Sequence, residues 1–154
     1  MIFPEIDLTF MLIGLIVIII FIIVVLRVIE RKMYTKIVDR KTSRDNFYAE
    51  EVKKIDFSNQ QNTIKNIEKL SKEFFKEAFE IKNTEFSEMQ RIFREKNNKL
   101  AEEFCAIMGY LLFSGKEVDP RYTQRAAYIL TEIIETTHIK TKEEKEEALK
   151  SQKK

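Results

Sequence analysis

The sequence predicts an all-α protein, with one N-terminal transmembrane helix followed by a small cytosolic bundle of about four helices. Three observations carry this expectation. Nineteen uncharged residues run from Leu8 to Leu26, all apolar except Thr9 and Gly14. After them, apolar residues recur at three- and four-residue spacing, the period of a helix with one buried face. The 154-residue chain has only three Gly and two Pro, with no Trp, which disfavours the many short strands and turns of a β-sandwich.

Segment 8–26 comes first because the rest depends on it. As a helix it is roughly 28 Å long, against a hydrocarbon core of about 30 Å. Its Ile and Val residues favour a strand in water, but a lone strand in lipid leaves its backbone amides and carbonyls unpaired, and a helix pairs them internally. A cleaved secretory leader has a basic start, a shorter apolar stretch and a small-residue cleavage site. MIFPEID carries no Lys or Arg, and Leu26, Arg27 and Val28 include no small pair, so the span is expected to remain as an anchor. Gly14 has no second Gly four residues away, so a close-packed GxxxG dimer is not expected.

The net charge of +2 is unevenly distributed. Residues 1–26 carry −2, residues 27–44 carry +5 and the remainder carries −1. The positive excess is therefore a collar directly after the span and does not form a nucleic-acid-binding face. It places the C-terminal side in the cytoplasm and residues 1–7 outside, at the cell membrane. Within the collar, Arg27, Arg31, Lys32, Lys36, Arg40 and Lys41 are the candidate contacts to lipid headgroups. The plainer reading makes them a topology signal only. Residues 27–57 read as a basic juxtamembrane helix and linker, with a short helix around 49–55 between flexible joints.

The helical domain is expected over 58–139. Ser58 with Gln61 has the form of a capping box, opening a first helix from about Asn59 to Phe79 whose stripe includes Ile64, Ile67, Leu70, Phe74 and Phe75. Thr84 reads as the N-cap of a second helix with Phe86, Met89, Ile92 and Phe93 on one face. Asn97 and Asn98 interrupt it, since Asn tolerates the left-handed conformation that ends helices. The third helix, Leu100 to Leu112, is apolar nearly all round in its second half and so is expected at the centre. Ser114 and Gly115 stop it. Asp119 and Pro120 then open a fourth helix, with a side-chain acceptor followed by a fixed φ. Residues 140–154, KTKEEKEEALKSQKK, form a charged tail expected to fray or to extend the fourth helix as a solvated one.

Chemistry-bearing groups are few. His138 is the only histidine and reads as a helix-end residue near terminal carbonyls. Cys105, alone in an apolar helix, reads as a small core residue, and an unpaired Cys gives no sign of an oxidising compartment. The paired Glu residues lie among Lys on polar faces. No catalytic residue, metal ligand or cofactor-binding residue is therefore expected, and no cofactor. The apolar positions exceed what four short helices need, and Tyr110, Phe113, Tyr122 and Tyr128 flank the stripes as a candidate protein-partner surface.

The segments FFKEAFEI, TEFSE and YLLFSGKEVDP, between Ile64 and Ile139, resemble the small cytosolic helical domain of uncharacterised single-pass membrane proteins of small-genome archaea. More remotely the region is similar to the helical domain after the last span of membrane-anchored transglutaminase-like proteins, in which Tyr-x-Gly ends the third helix. In this chain Phe113, Ser114 and Gly115 stand there, without the Tyr. The resemblance implies a helical fold and brings no catalytic residue. The expected function is a membrane-anchored interaction or adaptor module, not an enzyme, with the bilayer and a protein as partners and oligomeric state left open. The alternative is a lipid-surface-binding or self-assembling structural membrane protein.

Overall fold

The computed structural model describes residues 8–114 and 119–151. The expected extracytoplasmic segment 1–7, the stop at Gly115 with the loop that follows it, and the last three residues of the tail lie outside the described residues. Those described form five α-helices and no strand: α1 (Leu8–Lys53), α2 (Gln60–Phe79), α3 (Phe86–Glu95), α4 (Lys99–Phe113) and α5 (Pro120–Ser151). The chain divides into two compact units, residues 1–39 and 40–154.

In the first unit the apolar run is helical, as its composition requires, and no protein covers it. From Met11 to Leu26 its large side chains are exposed, from 38% at Val25 to 67% at Phe21. A Cβ built on Gly14 would meet only open space. Among the described residues, α1 is the one helix long and apolar enough to cross a membrane.

The second unit begins earlier in the chain than expected. Residues 42–53, read from sequence as mostly linker with a short helix, continue α1 without a break. No Gly or Pro lies between Gly14 and Lys53 to end the helix. Asp45, Tyr48, Ala49 and Val52 fall on one face by their spacing, and Tyr48 and Val52 join the core. The bundle therefore has five helical pieces, because the end of α1 meets α2 through Tyr48 and Phe74 and α5 through Asp45 and Thr141.

The core is strongly aromatic. Phe75 lies with ring centroids 5.1 Å from Phe93, 5.5 Å from Phe104, and 5.8 Å from each of Phe74 and Phe79. Most of these pairs are edge-on, the geometry favoured by the ring quadrupole. Tyr48 meets Phe74 edge-on at 5.3 Å. Helix α4 contacts α2, α3 and α5 and buries Ala101, Phe104, Cys105, Met108 and Leu111, so the most apolar helix is the central one.

Two helix starts are displaced from their expected caps. Asn59, not Ser58, caps α2, its Oδ1 accepting from the Asn62 amide at 3.1 Å. Ser58 instead donates its amide and hydroxyl to the Asp56 carboxylate at 2.9 and 2.7 Å, an Asx-type turn that competes with the capping box. Helix α3 starts after Glu85, one residue beyond the Thr84 cap, and has no side-chain cap. The other signals agree with the structure: Asn97 has φ 54°, Asn98 Oδ1 caps α4 through the Ala101 amide at 3.2 Å, and Asp119 Oδ1 accepts from the Arg121 amide at 2.9 Å.

The tail extends α5 to Ser151 rather than fraying at Lys140. Its first part is not merely solvated, because Thr141 is 4% exposed. His138 consequently sits within α5 and not at its end. Its Nδ1 is buried and has no hydrogen-bond partner among the described residues.

Candidate functional site

Among the concavities that described residues line on the second unit, three differ in chemistry. The smallest of the three, about 200 Å³, is lined by Asp45, Asn46, Ala49, Ile134, Glu135, His138 and Ile139. The second, about 380 Å³, lies between α1 and α2, where Glu51 and Glu73 balance Lys54 and Lys69 around Phe47, Ile55 and Leu70. The largest of the three, about 670 Å³, draws on all five helices and is unbalanced in charge.

The floor of the largest groove is apolar: Ala78 and Phe79 close α2, Phe93 comes from α3, Leu100 from α4 and Ile133 from α5. Its rim carries Lys41 and Arg44 from α1, Lys96 and Lys99 on either side of the Asn97–Asn98 turn, and Lys140 from α5. Among the described residues, Glu144 is the only acidic side chain lining it. These cations come from three separate stretches of sequence, gathered because α1, the α3–α4 turn and α5 meet at this end of the bundle.

Two of the five cations are engaged within the fold. Arg44 donates from Nε and Nη2 to Oδ1 of Asp45, at 2.8 and 2.6 Å, and from Nη1 to the Glu77 carbonyl at 3.1 Å. Glu77 lies in the last turn of α2, whose carbonyls lack intrahelical partners, so Arg44 caps that helix from α1. Asp45 is fully buried and also accepts from the Thr141 hydroxyl at 3.3 Å. Lys41 pairs with Glu144 at 3.5 Å, with both side chains about half exposed. Lys96, Lys99 and Lys140 are exposed and make no ion pair with a described residue.

The sequence-derived candidates are placed as follows. Arg27, Arg31, Lys32, Lys36 and Arg40 are exposed. At about 100° per residue Lys32, Lys36 and Arg40 share one stripe, and Arg27 and Arg31 lie on another. Lys41 differs from the others in the collar, because it is on the groove rim and salt-bridged. Of the aromatic candidates, Tyr110 and Tyr122 are brought together, with rings 5.3 Å apart, and Phe113 is 84% exposed on the same helix as Tyr110. Tyr128 is held separately under the Arg125 guanidinium at 5.8 Å, and Arg125 is itself bound to Glu103 at 2.9 Å. Sequence reasoning missed Lys96, Lys99 and Lys140. The available signal was the run Lys96-Asn97-Asn98-Lys99, two cations flanking a helix stop and a helix start.

Cys105 is 1% exposed, and burial pushes its thiol up to about 12, so it stays protonated and acts in packing. Among the described residues no three His, Cys, Asp or Glu side chains converge as a metal site would require. No family model, curated protein or solved structure matches this chain.

Proposed function

We propose that the chain is a membrane-tethered helical interaction module: segment 8–26 crosses the cell membrane once, residues 1–7 lie outside, and the second unit works in the cytoplasm. The observation that carries the proposal is the uncovered apolar helix. Every large side chain from Met11 to Leu26 is exposed, whereas the second unit of the same chain buries a core that includes Ile67, Phe74, Phe75, Phe93, Phe104 and Met108. In water such a surface costs about 25 cal/mol per Å², and the bilayer removes that cost. The exposed collar after the span supports the orientation. Tethering raises the effective concentration of the second unit for partners at the same membrane. The exposed Tyr110–Tyr122 pair, with the exposed Phe113 on the same helix as Tyr110, is the proposed protein-contact surface.

Alkaline carbonate extraction followed by protease protection tests the anchor. The full chain is expected to stay with the membrane, with the second unit digested only from the cytoplasmic side. Release into the carbonate supernatant, or digestion from outside, rules the reading out. Cross-linking in the native membrane tests the contact surface: a defined adduct is expected, lost when Tyr110 and Phe113 are changed to Ser. An adduct pattern unchanged by those substitutions removes the aromatic surface from the proposal.

A further inference from the structure

We propose that the groove between the α3–α4 turn and α5 binds the phosphate headgroup and adjoining apolar portion of an anionic lipid. The proposal deepens the membrane reading by naming a ligand for the tethered unit.

Three features point to that chemistry. The first is sign: Lys96, Lys99 and Lys140 share one concavity with Lys41 and Arg44, against the single acidic side chain of Glu144 among the described lining residues. A fold that gathers like charges in a hollow focuses the potential there and attracts an anion. Arg44 is occupied by Asp45 and the Glu77 carbonyl and Lys41 by Glu144, which leaves Lys96, Lys99 and Lys140 for an external ligand. The second is the floor. Phe79 and Leu100 are only partly buried beneath that rim, so a bare phosphate would leave apolar surface wet, and a molecule with an apolar part would cover it. The third is size: about 670 Å³ lies within the usual range for small-ligand sites.

By comparison, the α1–α2 hollow is charge-balanced and the His138 hollow is about a third of the volume. Neither sets an excess of cations over an apolar base. The collar on α1 is a different feature, exposed and without a hollow.

The test is calorimetric titration of the full chain in neutral maltoside micelles with dihexanoyl phosphatidic acid, subtracting the titration into empty micelles. Dihexanoyl phosphatidylcholine and inorganic phosphate are titrated in parallel. Phosphatidic acid is expected to bind at least tenfold more tightly than either. The triple variant Lys96→Gln, Lys99→Gln, Lys140→Gln is expected to weaken it at least tenfold with an unchanged melting curve, because all three side chains are exposed. A charge-matched variant, Lys65→Gln, Lys82→Gln, Arg121→Gln, is expected to bind like the parent chain. Equal binding of phosphatidylcholine overturns the role of the charges, and equal binding of inorganic phosphate overturns the lipid assignment. Binding unaffected by the groove variant, or weakened equally by both variants, overturns the site. Because the full chain is held in detergent micelles, the titration reads the groove whether or not carbonate extraction supports the anchor.

Discussion

The Thr141 hydroxyl lies 3.3 Å from Oδ2 of Asp45 and 3.0 Å from the Thr137 carbonyl, so its one proton is shared between them and the contact joins α5 to α1 across 96 positions of sequence. Asp45 is fully buried, and its other oxygen is held by two nitrogens of Arg44. A buried carboxylate is tolerated only when its charge and lone pairs are met, and here the Arg44 guanidinium supplies the counter-charge and two hydrogen bonds, with the Thr141 hydroxyl shared at the other oxygen. Arg44→Ala removes the counter-charge and the Glu77 cap together, and is expected to destabilise the second unit by about 3–5 kcal/mol. Replacing the pair jointly, Arg44→Met with Asp45→Leu, is expected to cost less than the two single changes summed. Urea unfolding of the detergent-solubilised chain, followed by circular dichroism, reads both. Equal, additive losses would show that the two residues act independently.

Phe75 and Phe113 are the same residue type in opposite environments. Phe75→Ala empties a position surrounded by Phe74, Phe79, Phe93 and Phe104, and is expected to cost about 3–5 kcal/mol. Phe113→Ala, at 84% exposure, is expected to change stability by less than about 0.5 kcal/mol. Paired denaturant titrations compare them, and a large loss at Phe113 would place it in a packed interface.

Cys105 supplies the pH dependence. Folded, burial raises the thiol to about 12, from 9.0 in an exposed setting. Between these values the unfolded chain has released the proton and the folded chain retains it, so the folded state binds more protons and stability falls as pH rises above 9. One unit into that window, at about pH 10, the loss is about 1.4 kcal/mol. Burial also raises the Tyr48 hydroxyl, with the Glu77 charge adding to the effect, so Tyr48 acts in the same direction above pH 10. Cys105→Ala is expected to reduce the fall in stability between about pH 8 and pH 10 without abolishing it at higher pH. In the parent chain the thiol is expected to resist maleimide at about pH 8 until denaturant unfolds the second unit.

The backbone offers a stabilising change. Glu80 ends α2 at φ 56°, a conformation that costs a side-chain-bearing residue about 1–2 kcal/mol and glycine very little. Glu80→Gly is therefore expected to raise the Tm, after the gain is reduced by glycine's greater freedom in the unfolded chain. Asn98→Ala, which removes the α4 cap, is expected to lower stability by about 1 kcal/mol. Differential scanning calorimetry distinguishes the two signs.

Local rules made much of the helix order legible. The apolar stripes of Ile67, Phe74 and Phe75, of Met89 and Phe93, and of Ala126, Ile129, Leu130 and Ile133 identify buried faces because a helical period leaves few alternatives. The stop at Asn97, the cap at Asn98 and the start at Asp119 follow from side chains and backbone that interact within a few residues. Where two local options competed, sequence alone could not choose between them: Ser58 could cap α2 or close a turn on Asp56, and only the folded backbone selects the second.

From its residues alone this chain specifies an apolar helix long enough to span a bilayer, a basic stretch after it and helices of known periodicity, because each depends on neighbours a few positions apart. The end of α1 within the core, the contact of Asp45 with Thr141 and the meeting of Lys96, Lys99 and Lys140 around one groove were decided only in three dimensions. A polar residue in an apolar stripe looks like an interruption until its distant partner is in place, and cations scattered through a charged sequence look like solvated surface until packing gathers them.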